Sequence, residues 1–288
     1  MNETLSELRS KPHWSFSSLN GFLNICSLQW AFKYIYALEP ESTPVSLLFG
    51  SAFHKSASWI ATLRQQSTYE TTEEAQEVFS EAWKIECKTL SKVKISTDGY
   101  NRLNATGRKM IDCLSRKWME DNIVAVGKAF TVPIEGSSKP LIGEIDLAVK
   151  SEANSTILVD WKTSQNKWPE GKADKDLQAT CFCYANKKLT DTDCLFRYDV
   201  VTKAKEPSYT QHPTYRTQDD FKRLSQLIRI AERAIKAEVF MPNETSFYCS
   251  SCAYISACKS WHRQQSKTIS LPIACLLYTS TLPTNREV

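Results

Sequence analysis

Three charged residues in two short apolar segments are spaced so that their side chains could meet. Asp160 and Lys162 lie two residues apart in ILVDWKTS, and Asp146 lies in the preceding segment, LIGEIDLAVK. Both segments are short and β-branched, which predicts strands, and residues i and i+2 of a strand project from the same face. Asp160 and Lys162 are therefore expected to point the same way.

The predicted turn between these strands places the two aspartates opposite each other. If a hairpin turn centres on Ala153, positions equally far from it face each other, and Asp146 and Asp160 satisfy this condition. Like charges opposed on a sheet destabilise it unless something neutralises them. A divalent cation would do so, and carboxylate oxygens suit Mg²⁺ or Mn²⁺. An ordinary surface pair is the alternative for Asp160 and Lys162, but charges in such an apolar strand are costly without a purpose.

Three of the ten cysteines have the spacing of metal ligands. Cys249, Cys252 and Cys258 fall within YCSSCAYISACKSW, where a C-x2-C pair in a polar segment has little packing purpose. A tetrahedral site needs a fourth ligand, and His262 is a local candidate that would complete a Cys3His zinc site.

The secondary-structure elements that must position these residues can be predicted from the hydrophobic pattern. This pattern changes along the chain from helical to strand periodicity. Helices are predicted over 15–38, 47–63, 71–90 and 100–120, the third of them opened by a Thr71–Glu74 capping box. Strands are then predicted over 129–136, 141–150 and 155–164. A helix over 174–188, a strand over 196–203 and an amphipathic helix over 219–240 follow.

The composition is that of a folded chain. Of 288 residues, 42% are hydrophobic and 24% charged, which excludes a disordered protein, and the net charge of +4 is compatible with nucleic acid. No apolar run is long enough to span a bilayer, and the first residues lack a signal-peptide pattern. We therefore expect no membrane association and a cytoplasmic location, where cysteines stay reduced.

The charged residues and their flanks resemble the signature of the PD-(D/E)XK nucleases, in the RecB-like branch that carries an iron–sulfur cluster. Asp146, Asp160 and Lys162 match the carboxylate–lysine set, and the Phe182 position often holds a tyrosine in that branch. The remaining matches are His54, which follows Gly50 in FGSAFHK, and Gln178 and Tyr184, which lie in DLQATCFCYA.

This resemblance implies an α/β fold. It consists of a restriction-endonuclease-like mixed sheet flanked by helices, a helical insertion before the sheet and a C-terminal iron–sulfur module. One nuclease domain is expected over 1–265, with a helical part over 14–125, a catalytic core over 126–205 and a C-terminal helix and cluster module over 217–262. Residues 266–288 are expected to be a disordered or artefactual tail.

The resemblance also implies a ligand set for the cysteines. Cys26, in NGFLNICSLQW, stands where the family carries a remote cluster ligand. A 4Fe-4S cluster on Cys26, Cys249, Cys252 and Cys258 is therefore expected, with zinc and His262 as the alternative.

The implied activity is hydrolysis of phosphodiester bonds in DNA. The implied enzyme is an exonuclease acting on free ends or single-stranded regions, in replication, recombination, repair, or phage or mobile-element processing. His54, Asp146 and Asp160 would hold Mg²⁺ or Mn²⁺, Lys162 and Gln178 would assist the reaction, and Glu144 and Tyr184 are auxiliary candidates. Two alternatives stay open: a non-catalytic DNA-binding accessory of an integration or repair complex, and a zinc-containing interaction module.

Overall fold

One mixed sheet with helices packed on both faces organises the protein. The computed structural model describes residues 3–89, 93, 95–118 and 122–268. The helices are α1 (Leu5–Arg9), α2 (Phe16–Asn20), α3 (Ser27–Tyr34), α4 (Val45–Gln65), α5 (Thr72–Thr89), α6 (Thr97–Lys117), α7 (Leu177–Thr190), α8 (Gln218–Lys236) and α9 (Ile255–Thr268). The strands are β1 (Trp14–Ser15), β2 (Asn122–Val132), β3 (Leu141–Lys150), β4 (Thr156–Ser164), β5 (Leu195–Thr202) and β6 (Tyr209–Thr214).

The strands follow the order β1-β3-β4-β5-β6, and β2 also pairs with β3. Antiparallel pairs join β2 to β3, β3 to β4 and β5 to β6, whereas β1 runs parallel to β3 and β4 runs parallel to β5. Strand β4 therefore lies in the middle of this order, with β3 and β5 as its neighbours. The fold confirms the predicted mixed α/β class.

Two hydrophobic cores lie on opposite sides of the sheet because successive strand residues alternate between its faces. Leu158 belongs to one core with residues of α7 and α8, and the next residue, Val159, belongs to the other with residues of α4, α5 and α6. The predicted apolar stripe of α8 lies in the first core, with Phe221, Leu224 and Ile228 buried.

The helical layer formed by α4, α5 and α6 is held by local and long-range contacts. The predicted capping box forms at the start of α5, where Thr71 N donates to Glu74 Oε2 at 2.8 Å and Glu74 N donates to Thr71 Oγ1 at 3.2 Å. At the end of α4, Arg64 pairs with the buried Glu70 carboxylate at 2.6 Å and donates to the Ser115 carbonyl of α6 at 2.7 Å.

Several elements differ from the sequence-based expectation. The predicted continuous helix over 15–38 is divided by a π-helical turn at Gly21–Ile25 and by Cys26, whose extended backbone (φ −169°, ψ 114°) caps α3. Strand β2 begins at Asn122 instead of residue 129, and α1, β1, β6 and α9 were not predicted. Helix α9 continues to Thr268, past the predicted boundary at 265, and the expected tail from residue 269 onward lies outside the described residues.

None of the helices in the described ranges combines the length and the apolar character that crossing a membrane requires.

Candidate active site and cysteine cluster

The observed register of β3 and β4 agrees with the turn position predicted from the sequence. The ladder pairs Leu147 with Val159 and ends at Lys150 with Thr156, which is the register expected for a turn centred on Ala153. Asp146 and Asp160 lie just beyond the Leu147–Val159 pair. The Asp146 carboxylate nevertheless bridges the two strands, because its Oδ2 accepts from the Trp161 amide at 3.3 Å.

Asp160 is the buried carboxylate of the site, with 4% of the residue exposed. Its Oδ2 lies 2.6 Å from Lys162 Nζ, and its Oδ1 accepts from Gln178 Nε2 at 2.5 Å. Gln178 lies in the first turn of α7, whose N-cap, Asp176, accepts from the Gln178 amide at 2.8 Å. The cap therefore fixes the turn that aims Gln178 at Asp160.

The second carboxylate is paired with the histidine that α4 supplies. His54 Nδ1 lies 3.0 Å from Asp146 Oδ2. The His54 ring meets Trp161 edge to face at a centroid distance of 6.3 Å, and Trp118 packs on the same indole at 6.0 Å. Because Trp161 belongs to the core beneath α4, α5 and α6, this contact attaches the helical layer to β4.

The neighbouring charges shift the pKa of His54 and of Asp160. Burial by itself lowers the pKa of His54, but the charge and hydrogen bond of Asp146, together with the charge of Asp160, outweigh it and raise that pKa. Burial raises the pKa of Asp160, and the negative charge of Asp146 adds to this effect while the Lys162 ammonium opposes it. The two aspartates thus repel each other, and His54 and Lys162 neutralise them.

The donor atoms fit a divalent cation, although they are engaged in ion pairs. Gln178 Oε1 is buried and accepts no hydrogen bond from the described residues, and the buried Asp160 Oδ2 lies against Lys162 Nζ. Two carboxylates, an amide oxygen and an imidazole suit Mg²⁺ or Mn²⁺. As they stand, the described residues include no group of three or more His, Cys, Asp and Glu side chains arranged to hold a metal ion. An ion would therefore have to displace the His54 and Lys162 contacts.

The two auxiliary candidates lie in different places. Glu144 is exposed on β3 and pairs with Ala129; its pKa is raised by partial burial and then by the charge of Asp146, so it lies near the site. Tyr184 lies six residues beyond Gln178, about 9 Å along α7. Its hydroxyl donates to the Pro133 carbonyl at 3.0 Å, which makes it a packing residue and not a member of the carboxylate group.

Arg216 supports the site and was missed by the sequence analysis. It donates to the carbonyls of Ala173 and Asp176 at 2.9 Å each and to Thr180 Oγ1 at 2.8 Å, and so holds the start of α7. Asp176 could have been recognised as a helix cap beside Gln178. No sequence pattern identifies Arg216, because it follows β6 and lies far in sequence from the start of α7 that it contacts.

The four predicted cluster cysteines line one cavity of about 190 Å³, together with His262. Cys26 Sγ accepts from the Gln29 amide at 3.4 Å, and Cys252 Sγ accepts from Gln29 Nε2 at 3.4 Å. Burial raises the pKa of Cys252 and of Cys258, and the neighbouring cysteines add to this effect. All nine cysteines in the described ranges are free thiols, so no disulfide competes for these four.

A mixed sheet that brings two carboxylates and a lysine together where two neighbouring strands diverge points to one class of protein, the nucleases. The family model of the PD-(D/E)XK nuclease superfamily matches residues 13–259. The chain therefore belongs to this superfamily, and membership implies a hydrolase that cleaves phosphodiester bonds.

One solved structure agrees with this assignment at the level of the fold. A crystal structure of a "Putative exonuclease" from Eubacterium rectale is similar over 87% of this chain and 93% of its own, with 13% identity and a TM-score of 0.53. A structure named SSO0001 aligns over 80% of this chain and 91% of its own at 9% identity, but its TM-score of 0.35 supports no argument. The search of curated proteins finds no significant match.

Proposed function

We propose that the protein is a metal-dependent DNA exonuclease whose active centre is built from His54, Asp146, Asp160, Lys162 and Gln178. The observation that carries the proposal is the buried Asp160 carboxylate, which lies between Lys162 at 2.6 Å and Gln178 at 2.5 Å. A buried carboxylate with a lysine beside it at the diverging ends of two strands has little structural purpose, because burying charge is costly.

Each residue would have a distinct task. His54, Asp146 and Asp160 would hold Mg²⁺ or Mn²⁺. The bound ion would supply the positive charge that polarises the phosphate and lowers the pKa of the attacking water. Gln178 holds Asp160 in place from the first turn of α7. Lys162, released from Asp160, would orient the water or stabilise the charge that develops on the phosphate oxygens.

The catalytic assignment is tested by cleavage of labelled DNA in Mg²⁺ or Mn²⁺. Asp160→Ala and Lys162→Ala are each expected to lower the rate at least about a hundredfold, because each removes a group that acts on the transition state. Lys88→Ala and Asp219→Ala, at exposed positions, are the matched controls and should retain the wild-type rate. Wild-type turnover in both folded site variants would refute the assignment.

Exonuclease action is suggested by the name of the Eubacterium rectale neighbour, "Putative exonuclease", and needs its own experiment. Linear and circular DNA of one sequence, each single- and double-stranded, should be offered with end label and with internal label. Release of mononucleotides or short products from linear DNA alone is the expected result. Cleavage of circular DNA at a similar rate would instead identify an endonuclease, and binding to DNA without cleavage would identify an accessory protein.

We also propose a 4Fe-4S cluster on Cys26, Cys249, Cys252 and Cys258. The shared cavity and the absence of disulfides among the described cysteines support it, and cluster iron is held by four cysteine thiolates. His262, the ligand required for the zinc alternative, lines the same cavity, with its Nε2 3.3 Å from Glu244 Oε1. Iron and sulfide analysis of anaerobically purified protein is expected to give four of each per chain. One zinc without iron would replace this proposal with the Cys3His site.

A further inference from the structure

A row of paired residues connects the candidate active site to the edge of the sheet. Asp160 on β4 pairs with Tyr198 on β5, which pairs with His212 on β6. Directly paired residues of neighbouring strands project from the same face. His212 therefore lies on the Asp160 side of the sheet, two strand spacings or about 10 Å away.

Trp168 covers the outer part of this row. It comes from the segment that joins β4 to α7, and its ring lies 5.0 Å from that of Tyr198 and 5.7 Å from that of His212, measured between centroids. Lys162 Nζ lies 5.8 Å from the centroid of the Tyr198 ring. Tyr198 is fully buried, whereas Trp168 and His212 remain partly exposed, so these two rings form the accessible end of the row.

The surroundings of Trp168 suit an anionic strand. Lys172 Nζ lies 4.1 Å from the centroid of the Trp168 ring, and Lys167 and Lys175 are exposed in the same segment. Of the acidic residues that precede α7, Asp174 accepts from Thr214 Oγ1 at 2.6 Å and Asp176 caps the helix, whereas Glu170 is exposed.

His212 completes the platform as a neutral aromatic ring. Burial and then the charge of Lys172 lower its pKa, so the imidazole is uncharged at pH 7. Partly exposed aromatic rings next to lysines are the means by which proteins hold unpaired bases while neutralising the backbone.

We propose that Trp168, His212 and Lys172 form a stacking site for an unpaired base of the DNA strand that is cleaved at Asp160. The proposal rests on the proposed nuclease function and narrows its substrate, because a base stacked on Trp168 is not paired in a duplex. The preferred substrate is accordingly a single strand or a frayed end. Lys172, now over the indole, contacts the phosphate next to the stacked base.

Binding measured without divalent ions separates this site from catalysis. Fluorescence anisotropy in EDTA should compare wild type and Trp168→Ala on labelled oligothymidylate, on an abasic strand of equal length and on a duplex. Trp168→Ala is expected to weaken binding of oligothymidylate about tenfold. Its binding of the abasic strand should stay at the wild-type level, because that strand has no base to stack. Trp168→Phe, which keeps an aromatic face, should restore most of the loss.

Controls distinguish loss of stacking from loss of structure. Tyr69→Ala, at an aromatic residue that is 65% exposed in the α4–α5 connection, should leave binding of all three DNAs unchanged. Equal weakening by Trp168→Ala on the abasic strand and on oligothymidylate would overturn the stacking site, as would unchanged binding of both.

The two proposals, nuclease activity and base stacking on Trp168, can be refuted separately. If wild type binds single strands through Trp168 but does not cleave them in Mg²⁺ or Mn²⁺, the stacking site stands and the catalytic assignment falls. If wild type cleaves DNA while Trp168→Ala binds and cleaves it equally well, the catalytic assignment stands and the stacking site falls.

Discussion

The charges of the candidate active site balance within two pairs of residues. His54 lies against Asp146 and Lys162 lies against Asp160, so each carboxylate has a nitrogen partner from this chain. A buried pair of carboxylates without such partners would destabilise the sheet. The same two side chains that would accompany catalysis therefore also keep the metal-free fold intact.

Gln178 is expected to contribute to stability as well as to cleavage. In Gln178→Ala the buried Oδ1 of Asp160 loses its donor, which should lower the free energy of unfolding by about 1–3 kcal/mol. Cleavage should also slow, because Asp160 is no longer held toward Lys162. Gln65→Ala, at the exposed end of α4, is the control for both measurements. Denaturant titration that shows equal stability for the two variants would contradict the role of this hydrogen bond.

The sequence predicted which residues meet in some parts of the site but not in others. Asp146 and Asp160 could be brought together because one turn assumption fixes a whole antiparallel register. Trp168 and His212 could not, because their contact depends on β6, a strand that the sequence pattern did not predict. The assigned roles of the site residues stay predictions until the variants are measured.

The elements that were missed have physical reasons for being hard to recognise. Strand β6 contains Pro213, which interrupts a strand pattern and is accepted here because β6 ends the sheet. The π-helical turn between α2 and α3 keeps an aromatic, helix-like pattern, so periodicity alone did not reveal the break before Cys26. Long periodic segments such as α4 and α8 were predicted because their pattern extends over several turns.

Two glycines in the helical layer provide a matched test of packing. A Cβ built on Gly107 of α6 would overlap the Phe79 ring of α5, whereas a Cβ on Gly50 of α4 meets no atom within 4 Å. Gly107→Ala should lower the free energy of unfolding by about 1–3 kcal/mol, because α5 and α6 must separate. Gly50→Ala should raise it by about 0.5–1 kcal/mol through helix propensity. Thermal unfolding that moves in the same direction for both variants would refute the close approach of α5 and α6.

The contact between Arg64 and Glu70 makes the helical layer sensitive to acid. Although burial favours the neutral form, hydrogen bonds from Arg64 and Ser115 lower the pKa of Glu70 below its ordinary value of 4.5. The stabilisation is therefore present above about pH 4.5 and is lost as pH falls through the lower folded-state pKa.

We expect Glu70→Gln to destabilise the protein at pH 7 and to converge with wild type as the pH falls below 4.5, as measured by urea unfolding at each pH. Glu73→Gln, exposed in the first turn of α5, serves as the control and should follow wild type throughout. A stability difference between Glu70→Gln and wild type that is constant with pH would exclude the ion pair as its source.

At the scale of the whole molecule, the segment before the helical insertion meets the segment after α8. The Leu28 amide donates to the Met241 carbonyl at 3.2 Å, and Asn243 Nδ2 donates to the Ile25 carbonyl at 3.0 Å. Phe32 packs against Tyr254 with ring centroids 6.1 Å apart. These contacts join parts of the chain more than two hundred residues apart, and the cysteine cavity lies among them.

A cluster at this place would act as a cross-link between the distant segments. If the cluster stays bound to both segments in the unfolded chain, it lowers the conformational entropy of that chain. For a loop of this length, the effect raises the free energy of unfolding by about 5 kcal/mol. We therefore expect Cys26→Ala to lose iron and to unfold at a markedly lower temperature than wild type. Cys87→Ala, at a partly buried cysteine of α5 outside the cavity, should keep both the iron content and the unfolding temperature.

Chelation separates the cross-link from simple packing at Cys26. Treatment with an oxidant and an iron chelator should lower the unfolding temperature of wild type to that of Cys26→Ala. The unfolding temperature of Cys26→Ala should not change, because this variant already lacks the cluster cross-link. If the treatment removes iron without changing the stability of wild type, the cluster does not hold the two segments together. The hydrogen bonds and ring contacts between the two segments would then be enough to hold them together, and any bound iron would have a different role.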